Sequence, residues 1–218
     1  MELTAHLASL LPERRLALAY APARSRTLWL GLFALDARLG AVVQAAHEPL
    51  LAQIKLAWWR DELAKPSAMR ALGEPLLALL HEWGEQAAAL SALVDGWEIL
   101  LSGEPLGPVE LRQIAQARAA ACLGLAARLD LSVAEPEVSC AAQGWALAEL
   151  GAALTDPDQH AAANGLIAQH DWHRPKLPRE LRPLLVLHGL AARQRGTAPL
   201  LPGPVAALRA VRLGLLGI

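Results

Sequence analysis

The stretch EPLLAQIKLAWWRDEL, residues 48–63, bears most directly on the fold. Pro49 suits the first turn of a helix, where the missing N–H of proline costs nothing. Trp58 and Trp59 then point about 100° apart, so one face cannot hold both. One apolar side carries Trp58 with Leu50, Leu51 and Ile54, and the other carries Trp59 with Leu56 and Leu63. We therefore expect a helix buried on two sides, as in the middle of a multi-helix assembly.

The composition narrows the class of protein. Of 218 residues, 54% are hydrophobic and 19% are charged, which excludes a disordered chain and allows a sizeable core. The net charge is −1 and the arginines are scattered, so we do not expect nucleic-acid binding. Cys122 and Cys140 lack metal-ligand spacing, which indicates free thiols in a reducing compartment.

We expect neither a targeting segment nor a membrane-spanning segment in this sequence. The amino terminus lacks a signal-peptide pattern, and no apolar run reaches the ~18 residues of a transmembrane helix. We expect a cytoplasmic protein. Contact with the periphery of the inner membrane stays open, because Arg209 and Arg212 lie beside apolar residues near the carboxyl terminus.

Alanine and leucine dominate, and β-branched residues never alternate with period two, so the sequence predicts an all-α fold in one domain over residues 1–218. Prolines mark most of the predicted helix starts: Pro49, Pro75, Pro108, Pro136 and Pro157. Further helices are predicted from Ser25 to about Ala46 and from about Ala89 to Ser102. Two more follow the proline-rich loop that begins at His170, around 181–195 and 203–216.

Carboxylates on apolar helices are the first candidates for chemistry. Asp95 and Glu98 follow i, i+3 spacing on LSALVDGWEILLS, where they could share Mg²⁺, or simply face water. Asp61 shares a predicted helix face with Ile54 and Trp58, which favours pairing with a buried arginine or a place in a polar cavity.

Other motifs carry little chemistry. His170 and His173 have the H-x-x-H spacing of some zinc sites, but the sequence offers no clear third metal ligand beside them. We therefore predict an ordinary loop here. The chain has no G-x-S-x-G, Walker-type or G-x-G-x-x-G motif. Hydrolase and nucleotide-binding functions therefore have no support in the sequence.

Several segments together resemble the squalene/phytoene synthase family, in the branch that includes assembly factors of respiratory complex I. The specific segment is LFALDARLGAVVQAAHEPLLAQIKLAWWRDEL, residues 32–63, with its WWRD block. Matching segments follow in order: LVDGWEILL (93–101), ARAAACLGLAARL (117–129), QGWALAEL (143–150) and PRELRPLLVLHGLAARQ (178–194). The resemblance implies the isoprenoid synthase fold, a single domain of helices around a central, mostly apolar cavity.

Active members of that family hold Mg²⁺ between two D-x-x-x-D motifs that face each other across the cavity mouth. Here Asp36 is present, but Gly40 stands four positions later. In the second region the carboxylates are Glu149, alone on its helix, and Asp156 and Asp158, which flank a proline. Both motifs depart from the pattern, so the resemblance implies a fold kept without the standard catalysis.

Three functions follow from this pattern. The first is a squalene/phytoene synthase-like protein that has lost prenyl transfer, needs no cofactor, and binds an isoprenoid or lipid chain or a protein partner. The second is an active Mg²⁺-dependent prenyltransferase. The third is a ligand-free helical scaffold. The candidate catalytic residues are Asp36, Asp61, Asp95 and Glu98, of which Asp95 and Glu98 are also the candidate metal ligands; the candidate diphosphate contacts are Arg60, Arg174 and Lys176.

Overall fold

The computed structural model describes residues 6–46, 48–194, 196 and 199–200. It is 77% helical, and these residues form no strand. The all-α prediction is confirmed. The isoprenoid synthase arrangement of the helices stays a prediction.

The described residues form nine α-helices. They are α1 (Pro12–Ala19), α2 (Ala23–Gln44), α3 (Pro49–Ala64), α4 (Pro75–Leu79), α5 (Ser91–Glu98), α6 (Pro108–Arg128), α7 (Glu135–Ala153), α8 (Pro157–Gln169) and α9 (Arg182–Gln194). Short 3₁₀ segments lie between some of them, the longest being Leu80–Leu90.

Prolines and caps set most of these helix starts, as the sequence predicts. Pro49, Pro108 and Pro157 each stand in the first turn of their helix. The Asp156 side chain also accepts hydrogen bonds from the first backbone N–H groups of α8.

Three boundaries differ from the prediction. Helix α2 begins at Ala23 after Pro22, so Ser25 lies inside it and does not cap it. The helix that starts at Pro75 gives way to 3₁₀ structure, and Gly84 breaks the run with a φ of 53°, which favours glycine. Helix α1 was not predicted, because its eight residues include three charged side chains and show only a short apolar pattern.

The two long alanine-rich helices lie at the centre of the packing. Helix α6 packs most extensively against α7; α7 also packs against α8 and α9, and α6 against α5. A small residue also lets α6 approach the 3₁₀ segment Leu80–Leu90: a Cβ at Gly124 would lie 2.5 Å from Ala89 Cβ. The core also contains Trp29, Trp83 and Trp145, all fully buried.

Helix α3 corrects the opening prediction, because only one of its two apolar sides is buried. Leu56, Trp59 and Leu63 are in the core, but Leu50 is 65% exposed, Ile54 58% and Trp58 39%. The neighbouring helices cover α3 from one side, and the other side meets solvent. The protein therefore carries an exposed apolar face on α3, formed by Leu50, Leu51, Ile54 and Trp58.

By length and composition alone, α2 could cross a membrane. However, the greater part of its most apolar 18-residue stretch is buried inside the protein. The described residues thus contain no clear transmembrane segment. The predicted helix around 203–216, with Arg209 and Arg212, lies outside the described residues, as does any membrane contact that it makes.

Candidate functional site

A cavity of about 810 Å³ lies between α1, α2, α6 and α7. This volume is in the range of roughly 300–1,000 Å³ that is typical of small-molecule sites. Its lining includes apolar groups from α2 and α7, the Trp97 indole of α5, and the start of α4. The cavity also contacts four buried charged side chains, which form its most distinctive feature.

Each of these four charges comes from a different helix. Arg14 lies on α1, Asp36 on α2, Arg118 on α6 and Glu149 on α7. Their side chains are 4%, 1%, 4% and 11% exposed. We call this set the four-charge cluster. Because a buried charge is costly without a partner, the helices that carry these residues must bring opposite charges together.

The two carboxylates of the cluster share the same two guanidinium groups. Arg14 Nη2 lies 2.6 Å from Asp36 Oδ2, and Arg14 Nε donates to Glu149 Oε2 at 3.1 Å. Arg14 Nη2 also donates to Glu149 Oε1. Arg118 Nη2 lies 3.2 Å from Asp36 Oδ2 and 3.0 Å from Glu149 Oε1. The cluster therefore has a formal charge of zero.

The pKa shifts follow from this pairing. Burial by itself raises the pKa of Asp36, but the Arg118 and Arg14 guanidiniums outweigh it and lower the pKa below its ordinary range. The pKa of Glu149 is lowered in the same way, because Arg14 and Arg118 outweigh its burial. Burial opposes the charge of Arg14, yet Glu149 and Asp36 raise its pKa. All three side chains are charged at neutral pH.

Two indoles complete the partners of the carboxylates. Trp97 Nε1 donates to Asp36 Oδ1 at 2.6 Å, and Trp145 Nε1 donates to Glu149 Oε2 at 3.0 Å. The Trp145 ring also lies 5.3 Å from the guanidinium carbon of Arg14 and 5.2 Å from that of Arg118. Each carboxylate thus has cationic and neutral donors around it.

Gly40 occupies the place where the family pattern has the second aspartate of the first motif. A Cβ at Gly40 would lie 2.9 Å from Trp97 Cη2 and 3.0 Å from Cζ2. The Trp97 ring therefore fills the space beside Gly40 while its Nε1 bonds to Asp36. No carboxylate side chain fits at position 40 unless this indole moves.

The remaining predicted carboxylates lie away from the cavity lining. Asp61 is exposed on α3, on the same side as the exposed apolar face, so the expectation of a buried pair or a polar cavity is wrong. Asp95 and Glu98 do lie together, but both pair with Arg60. Asp95 is 62% exposed and Glu98 37%. These groups form a surface ion-pair set that does not face Asp36 across the cavity.

The predicted diphosphate contacts do not meet at one place in the described structure. The Arg60 guanidinium donates hydrogen bonds to Asp95 and Glu98, and all three side chains are in contact with solvent. Arg174 and Lys176 are exposed in the loop before α9, and neither lines the cavity. A role for these three side chains in binding diphosphate stays a prediction.

The histidine loop forms a small polar network. His173 lies 3.2 Å from Glu137 Oε2 and 3.1 Å from Asp171 Oδ2, and the bond with Glu137 raises its pKa. The Cys140 thiol donates to the Asp171 carbonyl at 3.2 Å. Over the described ranges, no group of three or more histidine, cysteine, aspartate or glutamate side chains could hold a metal ion.

The four-charge cluster does not fit Mg²⁺. This ion requires oxygen ligands in near-octahedral geometry and usually takes free carboxylates. Asp36 and Glu149 each accept contacts from two guanidiniums and an indole N–H. A cation placed between them would lie beside two arginines, which repel it.

The sequence analysis did not identify Arg14 and Arg118, nor that these two arginines bring Asp36 and Glu149 into one cluster. Arg118 stands alone in the apolar run IAQARAAACLGLAA, which is the same signal that drew attention to the carboxylates. A lone charge on an apolar helix predicts an opposite partner. The sequence does not show which of 21 acidic residues that partner is.

Comparisons with protein-family models, with curated proteins and with solved structures find no match to this chain.

Proposed function

We propose that this protein binds an isoprenoid or other lipid chain in its cavity and has lost the Mg²⁺-dependent prenyl transfer of the squalene/phytoene synthase family that it resembles. One observation carries the proposal. Asp36 and Glu149 stand in the regions where the family pattern has its two acidic motifs, and both are neutralised by Arg14 and Arg118.

The chemistry of diphosphate ionisation explains why this pairing matters. A prenyl diphosphate leaves as a polyanion, and Mg²⁺ held by carboxylates supplies the charge that stabilises it. In this protein, freeing Asp36 and Glu149 for a metal would strip two buried guanidiniums of their partners. Removing one partner of a buried pair typically costs about 3–5 kcal/mol, so the exchange is unfavourable.

The rest of the lining suits a hydrocarbon chain. Ala34, Ala37 and Ala41 on α2 present small side chains to the cavity, and Leu76 and Leu150 border it. Small side chains keep the space open, and burial of apolar surface drives binding at roughly 25 cal/mol per Å² before the costs of association. An apolar chain is the ligand class that gains most from this lining.

The two other hypotheses have weaker support. An active prenyltransferase would use Asp36, Asp61, Asp95 and Glu98, yet only Asp36 lines the cavity. A ligand-free scaffold would have its centre filled. The buried tryptophans do fill the core, but the cavity of about 810 Å³ beside them favours a bound ligand.

A second candidate function is binding of a protein partner through the exposed apolar face of α3. Four large apolar side chains share this face, and a groove of about 540 Å³ runs beside Ile54 and Trp58. A second copy of this chain is the simplest partner. Sedimentation equilibrium tests it: we expect the native chain to dimerise and Ile54→Asp to remain monomeric. A native chain that stays monomeric at high concentration excludes this partner.

Chain binding is tested directly with farnesene, an uncharged isoprenoid hydrocarbon, by native mass spectrometry or equilibrium partition. We expect one molecule per chain. Ala37→Phe places a ring inside the cavity without removing a charge and should weaken binding. The matched control is Ala161→Phe on the exposed side of α8, which should bind like the native chain. Equal binding by the native chain and Ala37→Phe would contradict the proposed function.

A further inference from the structure

One nitrogen atom of Arg118 bears on which polar group a ligand of the cavity carries. Arg118 lines the cavity, its side chain is 4% exposed, and its Nη2 contacts both carboxylates of the four-charge cluster. Its Nη1 is buried and has no hydrogen-bond partner among the described residues. A buried donor without an acceptor is rare in proteins, and it is expensive when the group is charged.

The neighbours of this guanidinium explain why Nη1 has no partner. Asp36 Oδ2 and Glu149 Oε1 both engage Nη2, and their other oxygens accept from Trp97 and Trp145. The Trp145 ring lies 5.2 Å from the guanidinium carbon and offers no conventional acceptor. No side chain of this set supplies the acceptor that Nη1 requires. Nη1 is shielded from the adjoining cavity that Arg118 lines, so an oxygen of a molecule in that cavity reaches it once a neighbouring side chain moves aside.

The charge of the lining decides which acceptor fits. Among the charged side chains around the cavity, three are arginines and four are carboxylates. Two of the arginines are neutralised within the four-charge cluster, and the third, Arg38, pairs with Glu74 at 2.9 Å. Glu13 adds a further carboxyl, whose pKa is raised by burial. The cavity has no surplus of positive charge with which to hold a diphosphate.

From these observations we propose that the ligand ends in an uncharged oxygen, as in a prenyl alcohol or ketone, and that this oxygen accepts a hydrogen bond from Arg118 Nη1. The inference rests on the proposed function and specifies its ligand class. An uncharged oxygen satisfies the orphan donor without adding charge beside Asp36 and Glu149. A carboxylate or diphosphate would have to shed its water next to those two carboxylates.

Three ligands with the same fifteen-carbon chain separate the possibilities in the native protein. They are farnesol, farnesene and farnesyl diphosphate, measured without Mg²⁺. One hydrogen bond to a charged donor predicts that farnesol binds about tenfold tighter than farnesene. Farnesyl diphosphate should bind more weakly than farnesol. Equal affinities for farnesol and farnesene, or a preference for the diphosphate, would overturn the inference.

A variant then assigns the preference to one atom. Arg118→Lys keeps the positive charge but removes Nη1, so the preference for farnesol over farnesene should fall to within about twofold. Arg14→Lys disturbs the same cluster and leaves Nη1 in place, so the preference should persist there. Circular dichroism checks that each variant folds. A tenfold preference that survives in folded Arg118→Lys would overturn the assignment.

The two proposals fail in different ways. If none of the three ligands binds, the proposed function is wrong. If farnesene binds but the oxygen of farnesol adds nothing, the cavity holds a chain and only the inference about its polar end is wrong. If Arg118→Lys does not fold, the comparison of the three ligands in the native chain still decides the matter.

Discussion

Removing Arg14 should destabilise the protein strongly, because it leaves two buried carboxylates with one guanidinium between them. Arg14→Met keeps an unbranched, flexible side chain in place of the aliphatic part of Arg14 and deletes the contacts to Asp36 and Glu149. Breaking a buried ion pair from one side costs about 3–5 kcal/mol. For a chain of 218 residues this corresponds to a decrease in Tm of roughly 6–20 °C.

Two companion variants identify the cause. Arg15→Met lies next in the sequence on α1, but Arg15 is exposed, so its unfolding free energy should change by less than about 0.5 kcal/mol. Arg14→Met combined with Glu149→Gln restores a net charge of zero and keeps an acceptor for Trp145. The double variant should recover about 2 kcal/mol or more of the loss, because the uncompensated charge is removed.

The assay is urea denaturation followed by circular dichroism, with thermal unfolding as a second measure. The reasoning is refuted if Arg14→Met costs less than about 1 kcal/mol, since breaking one side of a buried pair costs several times that. It is equally refuted if the double variant is less stable than Arg14→Met alone. Either result would mean that the four-charge cluster is hydrated or loosely held in solution.

The pH dependence of stability tests the same cluster without a mutation. Asp36 and Glu149 have pKa values lowered from 3.8 and 4.5, so the folded state binds fewer protons than the unfolded state near these values. Their contribution to stability is therefore complete above about pH 5 and is lost as the pH falls through the lowered pKa values. In Arg14→Met the loss on acidification should be smaller.

Three further predictions concern single side chains. Trp97→Phe removes the 2.6 Å hydrogen bond to Asp36 and should lower the free energy of unfolding in urea by about 1–3 kcal/mol. The control Trp58→Phe, at a side chain 39% exposed, should lower it by less than about 0.5 kcal/mol. Gly40→Ala would place a Cβ 2.9 Å from the Trp97 ring and should lower the free energy of unfolding by about 1–3 kcal/mol. The control Gly165→Ala has open space at its Cβ on α8 and should raise the free energy of unfolding by roughly 0.5–1 kcal/mol. Asp95→Asn breaks an exposed pair with Arg60 and should lower the free energy of unfolding by less than about 1 kcal/mol. This loss should disappear in high salt. A larger loss would show that the ion pairs of Arg60 are buried in solution.

The sequence predicts the helices well because their ends depend on local chemistry. Proline at a first turn and the Asp156 cap act within a few residues, so the starts of α3, α6 and α8 can be read directly. Gly84 breaks the predicted helix after Pro75 because the chain there takes a positive φ, which the apolar pattern around it does not reveal.

The site could be predicted only in part, because its contacts join distant residues. Arg14 and Glu149 are 135 positions apart, and no local pattern connects them. Asp36 was singled out only through the family resemblance, as the aspartate that remains of the first acidic motif. The reasoning from an acid on an apolar helix face was applied to Asp61 and was wrong there, since it assumed that the side of α3 with Ile54 was buried.

The proposed function depends on Asp36 and Glu149 balancing two arginines and being unavailable to Mg²⁺. The most direct test is to incubate the native chain with farnesyl diphosphate and Mg²⁺ and to measure pyrophosphate release. We expect none above the protein-free rate. Turnover that depends on Mg²⁺ and disappears in Asp36→Asn would show that Asp36 serves catalysis and that prenyl transfer has not been lost.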